Sequence, residues 1–128
     1  MFYEELYTEL GKLFYHIAAA DGKVRPAERE SLEKLIHETW QPVESSKDEF
    51  GTDQAELIGF AFDYEEAEAY EDNGFESFRQ FYKDNSKRFT PQIADKILET
   101  AKAIASTYRG QNKDEKKEIE KLKKLFGK

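Results

Sequence analysis

Two observations predict an all-α fold. Apolar residues recur at three- and four-residue spacing along almost the whole chain, and the strict alternation expected of strands is scarce. A third sets the scale: 128 residues suit one domain with one core, read here as residues 1–128. The expected architecture is a single-domain bundle of about six helices, two pairs of which repeat as helical hairpins.

The first helix is expected over residues 3 to 20, with Tyr3, Leu6, Tyr7, Leu10, Phe14 and Ile17 on one face. Gly22 follows its end, where a left-handed residue commonly stops a helix. Pro26 suits the first turn of a second helix because its missing N–H is one that would be unpaired there anyway. Leu32, Leu35 and Ile36 give that helix its apolar stripe, and Pro42 is expected to lie beyond it. Residues 43 to 52 have turn composition, with Phe50 as an anchor. Thr52 or Asp53 can cap a third helix carrying Leu57, Ile58, Ala61, Phe62 and Tyr64. Asn73-Gly-Phe-Glu76 has capping-box spacing for a fourth, which bears Phe75, Phe78, Phe81 and Tyr82. Thr90-Pro91 opens a fifth, with Ile93, Ile97, Leu98, Ala101, Ile104 and Ala105 inward. Asn112 and Glu115 suggest another box before a last helix with Ile119, Leu122, Leu125 and Phe126.

The first hairpin pattern recurs at a constant offset of 87 residues: Leu10 aligns with Ile97, Ile17 with Ile104, Glu28 with Glu115, Leu32 with Ile119 and Leu35 with Leu122. At the corner the copies differ, since Asp21-Gly22 aligns with Tyr108-Arg109.

Charge narrows the class of function. The chain carries a formal net charge of −7, and residues 44 to 76 hold twelve acids against one Lys, whereas residues 113 to 128 hold seven Lys against four acids. An acidic middle repels nucleic-acid phosphate and attracts cations, so nucleic-acid binding is not expected, and the stretch reads as a solvated surface or as a cation- or partner-binding face. There is no cysteine, which excludes disulfides, thiolate metal sites and a thiol nucleophile. No apolar run approaches a membrane span, and Glu4, Glu5 and Glu9 stand where a signal peptide would be basic and then apolar; a cytoplasmic location is expected. The lysine-rich last helix reads as a core-packed helix with a solvated face.

The corner HIAAADGKVRPAERESLEKLI, residues 16 to 36, poses the main chemical question. A calcium loop of the EF-hand type needs oxygen ligands at positions 1, 3, 5, 7, 9 and 12, with Gly at 6. Placing Gly22 at 6 puts Asp21 at 5 and Glu28 at 12, but Ile17 and Ala19 fall at 1 and 3, so that reading fails. Two readings remain. Asp21 and Glu28 share a cation completed by water and other acids, or Asp21 bonds turn amides while Glu28, three residues after Arg25, accepts from the Arg25 N–H.

The run IAAADGKVRPAERESLEKLI resembles the TerB-like family, the tellurite-resistance-associated all-α domain also found at the N-terminus of a membrane-anchored J-domain co-chaperone. Its signature is an Ala-rich helix, Asp-Gly-x-Val/Ile and Pro-x-Glu. The run IASTYRGQNKDEKKEIEKLKKLF resembles the family's weaker second repeat, and DEFGTDQAE, residues 48 to 56, its inter-repeat region. The sequence departs from the pattern at Arg25, where Ser or Thr often stands, and at Tyr108-Arg109. The resemblance implies a helical bundle with an acidic, cation-binding face and a part in cell-envelope or chemical-stress responses through protein partners, with membrane association through those partners. It implies no enzyme activity. The metal positions it implies are Asp21 and Glu28, with Asp48, Glu49 and Asp53 from the middle segment, and the ion would be calcium, magnesium, manganese or zinc. The alternative is a protein interaction domain without metal dependence, using aromatics around Trp40, Phe50 or Tyr70. His16 and His37, the only histidines, lack zinc spacing and read as packing or surface residues.

Overall fold

The computed structural model describes residues 2–44, 51–68, 73–106 and 113–128. Among them are six α-helices and no strand: α1 (Phe2–Ala18), α2 (Pro26–Leu35), α3 (Leu57–Glu68), α4 (Gly74–Asp84), α5 (Pro91–Ala105) and α6 (Lys113–Leu125).

The inward face of α1 forms the centre of the core. Leu6, Tyr7, Leu10, Leu13, Phe14 and Ile17 are all buried, at the three- and four-residue steps of one helical face. Burial of each large apolar side chain contributes about 1.5–3 kcal/mol. Helices α3, α4, α5 and α6 all contact α1, and α5 also packs on α2 and α6. Two glycines set how closely the helices approach. A Cβ on Gly11 would lie 2.5 Å from both Ile58 O and Ala61 Cβ on α3, and one on Gly74 would collide with the Lys12 carbonyl of α1. At one end of the bundle, Phe89 meets Phe2, Phe78, Phe81 and Tyr82 edge-on, a favoured aromatic geometry.

The helix ends refine the sequence reading. The first helix stops at Ala18, and the chain then turns through Gly22, whose φ of +90° belongs to the left-handed region that favours glycine. The second keeps α geometry only to Leu35, then widens into a π-turn over Ile36–Trp40, with Gln41 N–H bonding Ile36 O, and tightens into a 3-10 turn, Gln41–Val43, that contains Pro42. Helical turns therefore extend past Trp40 and include the proline. Thr90 caps α5 as expected, its Oγ1 accepting from Ile93 N–H at 3.2 Å. Asn73 does not cap α4 with its side chain: its ψ of 21° lacks the extended geometry of an N-cap, and Glu76 pairs instead with Arg79. The box at Asn112 lies outside the described residues.

Two aromatics contrast in burial. Trp40 is wholly buried, donating from Nε1 to Thr100 Oγ1 at 3.0 Å, while Tyr64 faces outward. The tryptophan is therefore a core residue joining the end of the π-turn to α5, and cannot serve as an exposed contact.

Candidate functional site

The corner is built by the turn that Gly22 permits and by the entry to α2. Asp21 Oδ1 accepts from Lys23 N–H at 3.1 Å, and its Oδ2 pairs with Arg25 Nη2 at 2.8 Å. Glu28 lies in the first turn of α2, so its Oε1 reaches back to accept from Arg25 N–H at 2.8 Å. The Arg25 guanidinium also stands 3.8 Å from Glu28 Oε1. Arg25, the residue that departs from the resembled signature, thus lies between the two predicted carboxylates.

A third acid completes the cluster. Glu115, from the first turn of α6, hydrogen-bonds Glu28, and the two are only 2% and 1% exposed. Burial pushes the Glu115 carboxyl up to about 8, reinforced by the hydrogen bond to Glu28 and the charges of Glu28 and Asp21, with Arg25 acting in the opposite direction. Two buried carboxyls in hydrogen-bond contact disfavour both being ionised, so the upward shift of Glu115 favours a proton held between them. Burial also raises Asp21, but hydrogen bonds from Arg25 and from Lys23 N–H outweigh it and hold that carboxyl below its usual value. Three carboxyl groups thus converge beside the Arg25 guanidinium.

Asp53 lies elsewhere, as the cap of a 3-10 turn, Gln54–Glu56, where its carboxylate accepts from Ala55 N–H at 2.9 Å. Asp48 and Glu49 fall outside the described residues, as do Phe50, Tyr70, Tyr108 and Arg109. Of the five predicted metal positions, the structure brings together Asp21 and Glu28, and adds Glu115.

The outward side of α3 is the second notable surface. Phe60 and Tyr64, one turn apart, are 60% and 66% exposed, and Asp63, Glu66 and Glu68 are exposed on the same helix. Arg29 of α2 fastens Asp63 through Nε and Nη2, at 2.8 and 3.1 Å. Periodicity grouped Tyr64 with Leu57, Ile58, Ala61 and Phe62, and α3 is apolar around most of its circumference, leaving no clear polar face to orient the ring.

His16 and His37 both have acidic neighbours that the sequence did not reveal. His16 Nε2 lies 3.2 Å from Glu118 Oε1 on α6, and His37 Nε2 lies 2.9 Å from Glu33 Oε2. Among the described residues no helix is long and apolar enough to cross a membrane. Comparison with protein-family models, curated proteins and solved structures gave no significant match.

Proposed function

We propose that this chain is a non-enzymatic, cytoplasmic binding domain of the TerB-like kind, and that its outward α3 face takes a protein partner. The observation that carries this reading is the pair Phe60 and Tyr64, large apolar side chains held in solvent beside Asp63, Glu66 and Glu68. Charge complementarity favours a basic, amphipathic segment: its apolar residues cover the rings and its lysines or arginines meet the acids. Two open surface depressions, of about 350 and 290 Å³, are lined by Glu4, Glu5, Thr8, Glu9 and Phe81, and by residues 83 to 88; the buried Glu28–Glu115 pair lines neither.

The corner supports a second reading, a divalent-cation site that regulates the same domain. Asp21, Glu28 and Glu115 supply three carboxyl groups, and the alignment of Glu28 with Glu115 at the 87-residue offset supports two related hairpins meeting there. A cation would have to move Arg25 aside and release the Glu115 proton, so its uptake is coupled to pH.

A lysine/leucine amphipathic peptide tests the first reading. Binding should weaken at least tenfold in Phe60→Ser/Tyr64→Ser, weaken with salt, and ignore EDTA; indifference to both substitutions would overturn it. Thermal melts of wild type and Asp21→Ala with calcium, magnesium, manganese or zinc test the second. A metal at one hundred times its Kd adds about 2.7 kcal/mol of stability to wild type, and an equal gain in the variant removes the corner from consideration.

A further inference from the structure

Glu33, His37 and Glu56 form a further cluster, and Arg29 links its Glu33 to Asp63 of α3. One ligand atom from each lies within 4.8 Å of the others. His37 Nε2 is 2.9 Å from Glu33 Oε2 and 3.6 Å from Glu56 Oε1, so the imidazole nitrogen sits at the meeting point of two carboxylates. Four residues separate Glu33 from His37, which puts both on one side of the helical path as α2 passes into the π-turn. Glu56 arrives from the separate 3-10 turn, Gln54–Glu56.

Each carboxylate has a donor that orients it. Arg29 Nη1 donates to Glu33 Oε1 at 2.9 Å, leaving Oε2 toward the histidine, and Gln41 Nε2 donates to Glu56 Oε1 at 3.2 Å. Such supporting bonds fix ligand direction in metal sites. Ligand atoms bound to a tetrahedral zinc stand roughly 3.3 Å apart, given bonds of about 2.0–2.2 Å. The spacings around His37 need only shifts of a few tenths of an ångström to meet that value. One imidazole and two carboxylates supply three ligands, the number that leaves a fourth position to water, and the His37 side chain is 52% exposed, so solvent reaches it.

We propose that Glu33, His37 and Glu56 bind a divalent transition metal of the zinc class, with water as the remaining ligand. The ion would tie the end of α2 to the turn that leads into α3. This site is independent of both readings above.

The test is calorimetric titration of zinc into the EDTA-stripped full chain, with cobalt as a spectroscopic probe and circular dichroism to confirm that each variant is folded. One zinc per chain is expected, with affinity at least tenfold weaker in His37→Gln and in Glu56→Gln and unchanged in His16→Gln. Cobalt should give visible d–d absorption of low-coordinate type, lost in His37→Gln, and zinc should shift the His37 imidazole resonances and leave those of His16 in place. Absence of saturable binding up to millimolar zinc would overturn the proposal. So would binding that survives His37→Gln or that depends on Asp21 and not on His37.

Discussion

Two clusters of carboxylates in this molecule differ chiefly in their distance from water. At the corner, Glu28 and Glu115 are almost fully buried, and their charge is compensated internally by Arg25, a backbone N–H and a proton held on Glu115. Around His37 the carboxylates are partly exposed, and the ion pairs Glu33 makes with Arg29 and His37 are open to solvent. Acids withdrawn from water need permanent partners, because an uncompensated buried charge costs several kcal/mol. Exposed acids carry no such requirement and can exchange a proton or side-chain partner for a metal. The first cluster therefore joins α2 to α6, while the second is available to ligands.

Three substitutions would break or sharpen that contrast. Glu28→Ala removes the acceptor of Arg25 N–H and leaves a cavity beside Glu115, so it should cost roughly 2–4 kcal/mol. Chemical denaturation should show a lower midpoint with an unchanged slope; a loss as small as that of a surface variant would mean that the corner is not structural.

Glu115→Gln should act in the opposite direction and depend on pH. The folded protein holds the Glu115 proton up to about pH 8, whereas an ordinary Glu releases it near 4.5. Between those values the folded state binds more protons than the unfolded state, so this group makes stability fall as pH rises. Gln carries no such titration. The variant should match wild type near pH 4 and gain on it by up to about 1.4 kcal/mol per pH unit as pH rises from there toward 8, measured by urea unfolding across that range. Parallel pH profiles for the two proteins would show that the carboxyl pair does not share a proton.

His37→Gln, at the exposed cluster, should change stability by less than about 0.5 kcal/mol without metal. Its effect should appear only when zinc is added. A large loss in metal-free buffer would mean that the histidine is structural.

Much of the fold was legible in the sequence because it depends on local rules. The α1 face from Leu6 to Ile17, the Gly22 turn, Pro26 at the start of α2 and the Thr90 cap all follow from periodicity or from single-residue backbone preferences. The exceptions have tertiary causes. A π-turn shifts the register of the residues that follow it, and here Trp40 enters the core to meet Thr100, a residue sixty positions away in the chain. Tyr64 faces outward because α3 buries Ile58 and Phe62 toward Gly11 and Gly59 toward Arg29 and Ile36, a choice made by close helix packing and not by the near-uniform hydropathy of α3.

The same division holds for the candidate sites. Asp21 and Glu28 were found from the sequence because they flank one turn, and the pairing of Glu28 with Glu115 at a fixed offset was visible as a pattern. That these two carboxyl groups touch and have Arg25 as their neighbour required the packing of α6 against the rest of the bundle. Glu56 lies nineteen residues from His37, at a distance in sequence that no helical period connects, and only the fold brings them to 3.6 Å. The sequence by itself determined most of the helices, the inward faces of those with clear periodicity such as α1, and the acidic character of the middle, since these depend on residue type and neighbours within a turn or two. Tertiary structure alone decided which acids are buried, which meet, and which aromatics remain in water, because those properties depend on groups contributed by distant segments.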